Sequence, residues 1–220
     1  MAPRFSVDGY TIHRSCVEEE WLDRLASDFD KLTRDGYSVR GVLSRSFAAQ
    51  EVATFLQDKA SQQLGCAVSP TKATYFDKTP DANWTVPWHQ DLTITVNERH
   101  EIDGFHHWRQ KDGLWHVQPP ISVLQNTIAL RVHIDACPQE NGPLRVIPGS
   151  HDDGVLTEEA IAQRVDATER IDLAVERGDV VAMAPLLLHS SLRARQPQHR
   201  RVLHLEYSSG ALPVGLKWCG

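Results

Sequence analysis

The amino-acid sequence predicts an α+β protein, with helices first along the chain and a β-barrel or β-sandwich core after them. Residues 17–29 place Trp21, Leu22, Leu25 and Phe29 at helical intervals, behind acidic residues that suit the first turn of a helix. After about residue 70, short runs rich in Val, Ile, Leu and Thr alternate with turn-forming clusters. Short strands at regular spacing are typical of an antiparallel sandwich or barrel.

A second amphipathic helix is predicted over residues 46–63. Phe47, Val52, Phe55 and Leu56 lie on one side of it, and Gly65 is a residue type that ends helices. We therefore expect a helical N-terminal part over about residues 1–68, packed on the β core.

The strands are predicted from apolar runs that are separated by turns. They cover residues 92–96, 127–134, 144–147, 180–183 and 201–207, within a core of about residues 70–210. Two segments interrupt this pattern. Residues 97–124 are predicted as a long, irregular lid insertion because they are crowded with aromatic side chains and histidines. Residues 151–170 are predicted as a polar insertion with one short helix around 158–164.

Length and composition exclude several classes of protein. The chain has 220 residues, of which 41% are hydrophobic, and we expect residues 1–220 to form a single domain. The formal net charge of −6 and the lack of a strong basic cluster argue against a nucleic-acid partner. No apolar run is long enough to span a membrane, the N-terminus lacks the apolar segment of a signal peptide, and the four scattered cysteines indicate a reduced, cytoplasmic protein.

Histidine-x-aspartate pairs are the main candidates for chemistry. The chain has 11 histidines, and a non-haem iron site needs two imidazoles and one carboxylate on one face of the metal. Such a pair on a strand places both side chains on the same face. Three pairs occur: His89 with Asp91, His133 with Asp135, and His151 with Asp153. The first is favoured modestly, because it joins an extended segment to an alternating one.

A set of motifs in a fixed order carries a family resemblance. It comprises residues 88–91, 140–144, 146–151, 178–180, 189–191 and Arg200. Over roughly residues 70–207 the chain resembles the phytanoyl-CoA dioxygenase family of Fe(II)- and 2-oxoglutarate-dependent oxygenases. The resemblance implies a double-stranded β-helix, which is a cupin-like jelly-roll core, with the N-terminal helices packed on it.

The resemblance also implies the site residues. Iron(II) would be bound by His89, Asp91 and His189, Arg200 would bind the distal carboxylate of the cosubstrate 2-oxoglutarate, and Ser191 would support that carboxylate. O₂ would take the remaining open position. A planar guanidinium suits the role of Arg200 because it grips a carboxylate with two parallel hydrogen bonds.

Arg131 departs from the aromatic side chain usual at this position in some family members. We group it with the cofactor-binding residues and expect it to recognise an anionic or carbonyl group; the alternative is a surface arginine. If Arg200 faces inward, alternation predicts that Val202, His204 and Glu206 do so too. We expect a structural pairing between His204 and Glu206.

The implied activity is hydroxylation of a small-molecule metabolite, with release of succinate and CO₂. Asp91 favours hydroxylation or desaturation over halogenation, because halogenating relatives replace this carboxylate with a small residue. The lid and the residues around Tyr75, Phe76 and Lys78 are candidates for excluding water. Two alternatives remain open: a cupin-like metalloenzyme that does not use 2-oxoglutarate, such as an isomerase or hydrolase, and a non-catalytic small-molecule-binding barrel. We expect a monomer or homodimer.

Overall fold

The computed structural model describes residues 4–32 and 37–219; residues 1–3, 33–36 and 220 of the predicted single domain lie outside the described residues. The described residues contain five α-helices: α1 Arg4–Asp8, α2 Glu19–Leu32, α3 Phe47–Leu64, α4 Ile121–Gln125 and α5 Glu158–Ala167. They also contain thirteen β-strands: β1 Tyr10–His13, β2 Ser38–Arg40, β3 Ser69–Phe76, β4 Val86–His89, β5 Ile94–Val96, β6 His106–Lys111, β7 Leu114–Gln118, β8 Thr127–His133, β9 Leu144–Val146, β10 Ile171–Leu173, β11 Val180–Met183, β12 His189–Ser191 and β13 Val202–Ser208. No helix in this part of the chain is long and apolar enough to cross a bilayer.

The two helices predicted from the sequence are confirmed as α2 and α3. The apolar side predicted for the second is wrong in part, because Val52 and Leu56 are buried but Phe47 and Phe55 are exposed. Helix α2 buries Leu22, Leu25 and Phe29, the apolar stripe that predicted it. Helix α3 begins where the Ser46 hydroxyl accepts a hydrogen bond from the Ala49 N–H, and it ends at a left-handed glycine. Both helices contribute buried side chains to one hydrophobic cluster on the outer face of the largest sheet.

The strands form three sheets, and all of their pairings are antiparallel. The largest has the order β1-β11-β8-β13-β3-β2, the second has the order β10-β9-β12-β4, and the third has the order β5-β7-β6. Neighbours that are distant in sequence, such as β3 and β13, are typical of a jelly roll. The larger two sheets form its walls, so the predicted double-stranded β-helix core is confirmed.

Alternation along β13 decides which side chains reach the interior of the jelly roll. Leu203 and Leu205 point to the cluster beneath the helices. Val202, His204 and Glu206 line a cavity on the opposite face of the strand. The inward direction predicted for these three residues is confirmed.

Leu203→Ala is expected to destabilise the protein by about 2–5 kcal/mol, because Leu203 is fully buried and its truncation leaves a cavity between the sheet and the helices. Urea unfolding followed by circular dichroism measures the loss. Val214→Ala is the control, since Val214 is fully exposed and its truncation should change the free energy of unfolding by less than about 0.5 kcal/mol. An equal effect of the two changes would contradict this packing.

The irregular conformation predicted for residues 97–124 is wrong. Strands β6 and β7 form a hairpin there, and helix α4 follows it. The hairpin turns at Asp112 and Gly113, both of which have positive φ angles, 51° and 77°. An Asp-Gly pair between two strands is a strong hairpin signal, and it is a better guide to this segment than the aromatic and histidine content from which an irregular lid was predicted. In the second insertion, the short helix predicted around 158–164 is confirmed as α5.

Candidate active site

Two neighbouring strands bring the candidate histidines together. His189 on β12 lies directly opposite His89, the last residue of β4, in the antiparallel pairing of these strands. Their ring centroids are 4.1 Å apart. Side chains directly opposite each other on one face of a sheet are the closest cross-strand neighbours.

Asp91 lies just beyond the end of β4, in the connection to β5, as expected for a pair that joins two extended segments. The Asp91 backbone N–H donates to the Pro185 carbonyl at 2.8 Å, which turns the carboxylate towards the histidines. Its Oδ1 lies 3.8 Å from His89 Nε2, and its Oδ2 lies 3.6 Å from His189 Nε2. One potential ligand atom from each of the three residues lies within 4.8 Å of the others.

Gln90, the middle residue of the motif, anchors this loop from the opposite side. Its buried amide nitrogen donates to the carbonyls of Leu186 at 2.8 Å and Gly154 at 2.7 Å. Its amide oxygen accepts from the Leu156 N–H at 2.9 Å. All three bonds hold the backbone between His89 and Asp91, and the sequence offered no signal for this role.

Each candidate histidine is held in one tautomer by a backbone carbonyl. His89 Nδ1–H donates to the Pro87 carbonyl at 2.8 Å, and His189 Nδ1–H donates to the Leu187 carbonyl at 2.8 Å. The lone pairs of both Nε2 atoms are therefore free to face a metal ion.

The protonation states also suit metal binding. Burial lowers the pKa of His189 to about 4, so the ring is neutral near pH 7. Burial alone would raise the pKa of Asp91, but in the acidic range where this carboxyl titrates the protonated rings of His189, His204 and His89, together with Lys72, outweigh burial and hold that pKa well below its usual range. The site thus presents one carboxylate and two imidazoles, which are the ligands of a facial triad.

The other two histidine-x-aspartate pairs are engaged elsewhere. Asp135 accepts hydrogen bonds from Arg201 at 2.9 Å, and Asp153 accepts one from Arg164 at 2.8 Å. Within residues 4–32 and 37–219, the set of at least three potential ligands that converges is the one around Asp91. The modest preference of the sequence analysis for this pair agrees with the geometry.

Beside the triad lies a cavity of about 270 Å³, which is also lined by Arg200, Ser191 and Arg131. Arg200 is buried, and one of its guanidinium nitrogens donates to the Gly142 carbonyl. The Ser191 hydroxyl accepts a hydrogen bond from Lys78 Nζ at 2.9 Å. Arginine, lysine and serine thus meet in one part of the cavity.

Lys78 was expected to exclude water, but its charge is the more important property. Its pKa falls to about 7 because the amine is buried and because Arg200 and Arg131 add positive charge nearby. The ammonium also lies 5.2 Å from the centre of the Trp84 ring. Of the other water-excluding candidates, Phe76 lines the cavity, whereas Tyr75 packs at 4.7 Å between ring centres against Phe29 in the helical core.

Arg131 lines the cavity and is not a surface residue. Its Nη1 donates to His204 Nδ1 at 3.1 Å, and since a guanidinium only donates, the proton of His204 is on Nε2. That nitrogen lies 3.4 Å from Glu206, which also accepts from Lys72 Nζ at 2.6 Å. The predicted pairing of His204 with Glu206 is confirmed, and Lys72 completes it.

Residues 5–202 match the family model of the phytanoyl-CoA dioxygenases. The chain belongs to this family. The resemblance carried by the ordered motifs is thereby confirmed. The chain is also 26% identical over 148 residues to L-proline trans-4-hydroxylase of Streptomyces griseoviridis. That alignment covers 56% of this chain and 47% of the relative, so the chain spans about half the length of the curated relative it matches.

Solved structures share the fold at low sequence identity. AviO1 from Streptomyces viridochromogenes Tue57 is 22% identical, with a TM-score of 0.68 over 96% of this chain and 94% of that chain. EctD from S. alaskensis, solved with 2-oxoglutarate and 5-hydroxyectoine, is 20% identical, with a TM-score of 0.70 over 93% of this chain and 73% of that chain. The epimerase SnoN, solved with Fe³⁺, α-ketoglutarate and nogalamycin RO, is 15% identical, with a TM-score of 0.72 over 99% of this chain and 93% of that chain.

The cofactors of the phytanoyl-CoA dioxygenase family fit the residues of this cavity. Iron(II) takes imidazole and carboxylate ligands and needs open positions, and the triad lies on the wall of an open cavity. A dicarboxylate needs a buried cation at its far end, and Arg200 with Lys78 supplies two. The donor set therefore suits both groups.

Proposed function

We propose that this chain is an Fe(II)- and 2-oxoglutarate-dependent oxygenase that hydroxylates a small molecule. His89, Asp91 and His189 hold iron(II) in this proposal. The observation that carries it is the convergence of these three side chains on the wall of a cavity that also contains a buried arginine. The relative named for proline hydroxylation and the neighbours solved with 2-oxoglutarate support the same class of reaction.

Arg200, Lys78 and Ser191 bind the distal carboxylate of 2-oxoglutarate in this proposal. Arg200 keeps donors free besides the one bonded to Gly142. Lys78 already donates to Ser191, so both side chains are oriented before the cosubstrate arrives. Such preorganisation lowers the entropy cost of binding.

Iron and 2-oxoglutarate, when bound, supply an oxidising reaction that consumes O₂ and yields succinate and CO₂. The chain's own residues orient and shield it. The carbonyls of Pro87 and Leu187 keep both Nε2 atoms towards the metal. The hairpin β6–β7 and the Trp84 ring border the cavity and limit the access of water. A cavity of about 270 Å³ favours a small free metabolite as substrate.

The four cysteines are unpaired, which supports a reduced, cytoplasmic setting for this enzyme. The monomeric or homodimeric state stays a prediction.

Anaerobic titration of the protein with Fe(II) and 2-oxoglutarate tests the proposed function. We expect a weak visible charge-transfer band that needs both additions, followed by succinate release when O₂ is admitted. A band that forms with Fe(II) alone, or none at all, would favour a cupin-like metalloenzyme that does not use 2-oxoglutarate. The buried Arg200 weighs against that alternative, since a simple metal hydrolase has no need of a cation there.

The affinity for 2-oxoglutarate is expected to fall as the pH rises above about 7. Lys78 binds a carboxylate when it is protonated. Burial and the nearby charge of Arg200 lower its pKa to about 7, Cys137 acts in the opposite direction, and Arg131 adds a smaller lowering. Raising the pH through that value removes the positive charge of Lys78, so the dissociation constant of 2-oxoglutarate should rise by up to about tenfold per pH unit. The rise should stop above the pKa that Lys78 has in the complex, which the bound carboxylate makes higher.

The charge-transfer band measures this dissociation constant between pH 6 and 9. Lys78→Met is the matched variant: it keeps a long side chain against Trp84 but has no titrating group. We expect weaker binding at pH 6 and a nearly flat profile. If the wild-type profile is equally flat, Lys78 does not bind the cosubstrate.

A further inference from the structure

The cavity beside the triad carries far more positive than negative charge. Two carboxylates face seven cationic side chains in its lining, which are Arg40, Lys72, Lys78, Arg109, Lys111, Arg131 and Arg200. The excess of five positive charges stands out in a chain whose formal net charge is −6. Iron(II) and the 2-oxoglutarate dianion would cancel each other, so the proposed cofactors leave this excess in place.

Contacts divide these cations into an inner and an outer group. The inner group has four members: Arg200 lies near Lys78, Arg131 donates to His204, and Lys72 is paired with Glu206. The outer group consists of Arg40, Arg109 and Lys111, which lie on β2 and β6. Arg109 and Lys111 are two positions apart on β6 and therefore project to the same face.

The outer group lies where the turn of the hairpin comes close to β2. Arg40 forms a salt bridge of 2.6 Å with Asp112 at the hairpin turn. Within the part of the chain that the structure describes, Arg109 and Lys111 have no salt bridge to a carboxylate. The charge of Arg109 is the largest cause of the lowered pKa of Lys111; Arg40 lowers that pKa further, and the carboxylate of Asp112 offsets these effects only in part.

A buried histidine adds a polar atom without a partner at the same place. His116 on β7 is the cross-strand partner of Arg109, lines the cavity, and is only 4% exposed. Its Nε2 has no hydrogen-bond partner among the described residues. A buried polar atom without a partner costs free energy, and a ligand that supplies the missing hydrogen bond recovers it.

We infer that Arg109, Lys111 and His116 form a subsite for an oxyanion of the substrate, at the hairpin end of the cavity. The substrate is then a small molecule with a carboxylate, phosphate or sulfate group. The two cations supply charge-assisted hydrogen bonds, and His116 supplies a neutral imidazole N–H. This inference rests on the proposed function, because it takes the triad and Arg200 as the sites of iron and 2-oxoglutarate.

Calorimetric titration of the anaerobic enzyme, loaded with Fe(II) and saturating 2-oxoglutarate, tests the subsite. The probes are inorganic phosphate, sulfate and acetate, with acetamide as the neutral control, at low ionic strength where exposed charges are least screened. We expect at least one anion to bind while the charge-transfer band persists, and acetamide not to bind. The anion with the highest affinity identifies the class of oxyanion.

The double variant Arg109→Gln/Lys111→Gln should weaken the binding of that anion by about tenfold or more. Arg170→Gln/Lys217→Gln is the matched control, since it removes the same charge from residues outside the cavity lining, and its affinity should stay within about twofold of wild type. The inference is overturned if no anion binds the loaded wild type, if the anions displace 2-oxoglutarate, or if both double variants weaken binding equally. Failure of the band to form in the wild type would instead refute the proposed function.

Discussion

Asp91→Ala is expected to reduce iron-dependent turnover of 2-oxoglutarate to below about 1% of the wild-type rate. The change leaves the two imidazoles, of which that of His189 is neutral near pH 7 because its pKa lies at about 4, and it removes the carboxylate that lies within reach of both Nε2 atoms. Iron(II) would lose a third of its protein ligands and its charge compensation. Succinate release under saturating Fe(II) and 2-oxoglutarate measures the effect, and the charge-transfer band should disappear with it.

Asp153→Ala is the matched control for this prediction. Asp153 also follows a histidine by two positions, but its carboxylate is paired with Arg164 on the surface. We expect its turnover to stay within about twofold of wild type, because a surface ion pair is worth about 1 kcal/mol or less. Urea unfolding of both variants separates a lost ligand from a lost fold. Full succinate production by the Asp91 variant would refute the ligand assignment.

The helices and the inward faces of the strands could be predicted from the sequence because their signals are local. The helical spacing of Leu25 and Phe29 and the alternation of Val202, His204 and Glu206 each repeat within one element, and each corresponds to a face in the structure. The hairpin β6–β7 has a local signal too, the Asp-Gly pair at its turn, but this signal is short and lies within a segment whose aromatic side chains and histidines show no strand alternation.

The candidate triad was predictable only through motifs that appear in a fixed order. Spacing alone allowed three histidine-x-aspartate pairs, and the pairing of β4 with β12, which places His89 opposite His189, joins residues a hundred positions apart. Patterns within one segment hold no information about such pairings. The ordered motifs carry that information, because they reflect the fold of a whole family.

The supporting residues of the cavity could not be predicted, because each acts on a partner far away in the chain. Lys78 meets Ser191 across 113 residues, and Lys72 meets Glu206 across 134. A lysine on a strand is expected to be exposed to solvent unless its neighbours on the adjacent strands are known, because lysine is seldom buried. The same holds for Gln90, whose three hydrogen bonds go to backbone groups that no side-chain pattern marks.

The second large effect is expected from Arg200→Gln, which should weaken the binding of 2-oxoglutarate by roughly a hundredfold. Two charge-assisted hydrogen bonds from a buried guanidinium to a carboxylate contribute about 3 kcal/mol, and a neutral amide recovers little of it. Arg200→Lys keeps the positive charge but loses the planar guanidinium, so its affinity for 2-oxoglutarate should lie between those of the wild type and Arg200→Gln. The dissociation constant is read from the charge-transfer band at fixed Fe(II).

Arg201→Gln provides the control at the next position of the chain. Arg201 points away from the cavity and pairs with Asp135, so its loss can reduce the free energy of unfolding but should leave the affinity for 2-oxoglutarate within about twofold. Because Arg200 also donates to the Gly142 carbonyl, urea unfolding of Arg200→Gln is needed to correct for a loosened site. Unchanged cosubstrate affinity in a folded Arg200→Gln protein would mean that the distal carboxylate binds elsewhere, and Lys78 would then be the cation to replace.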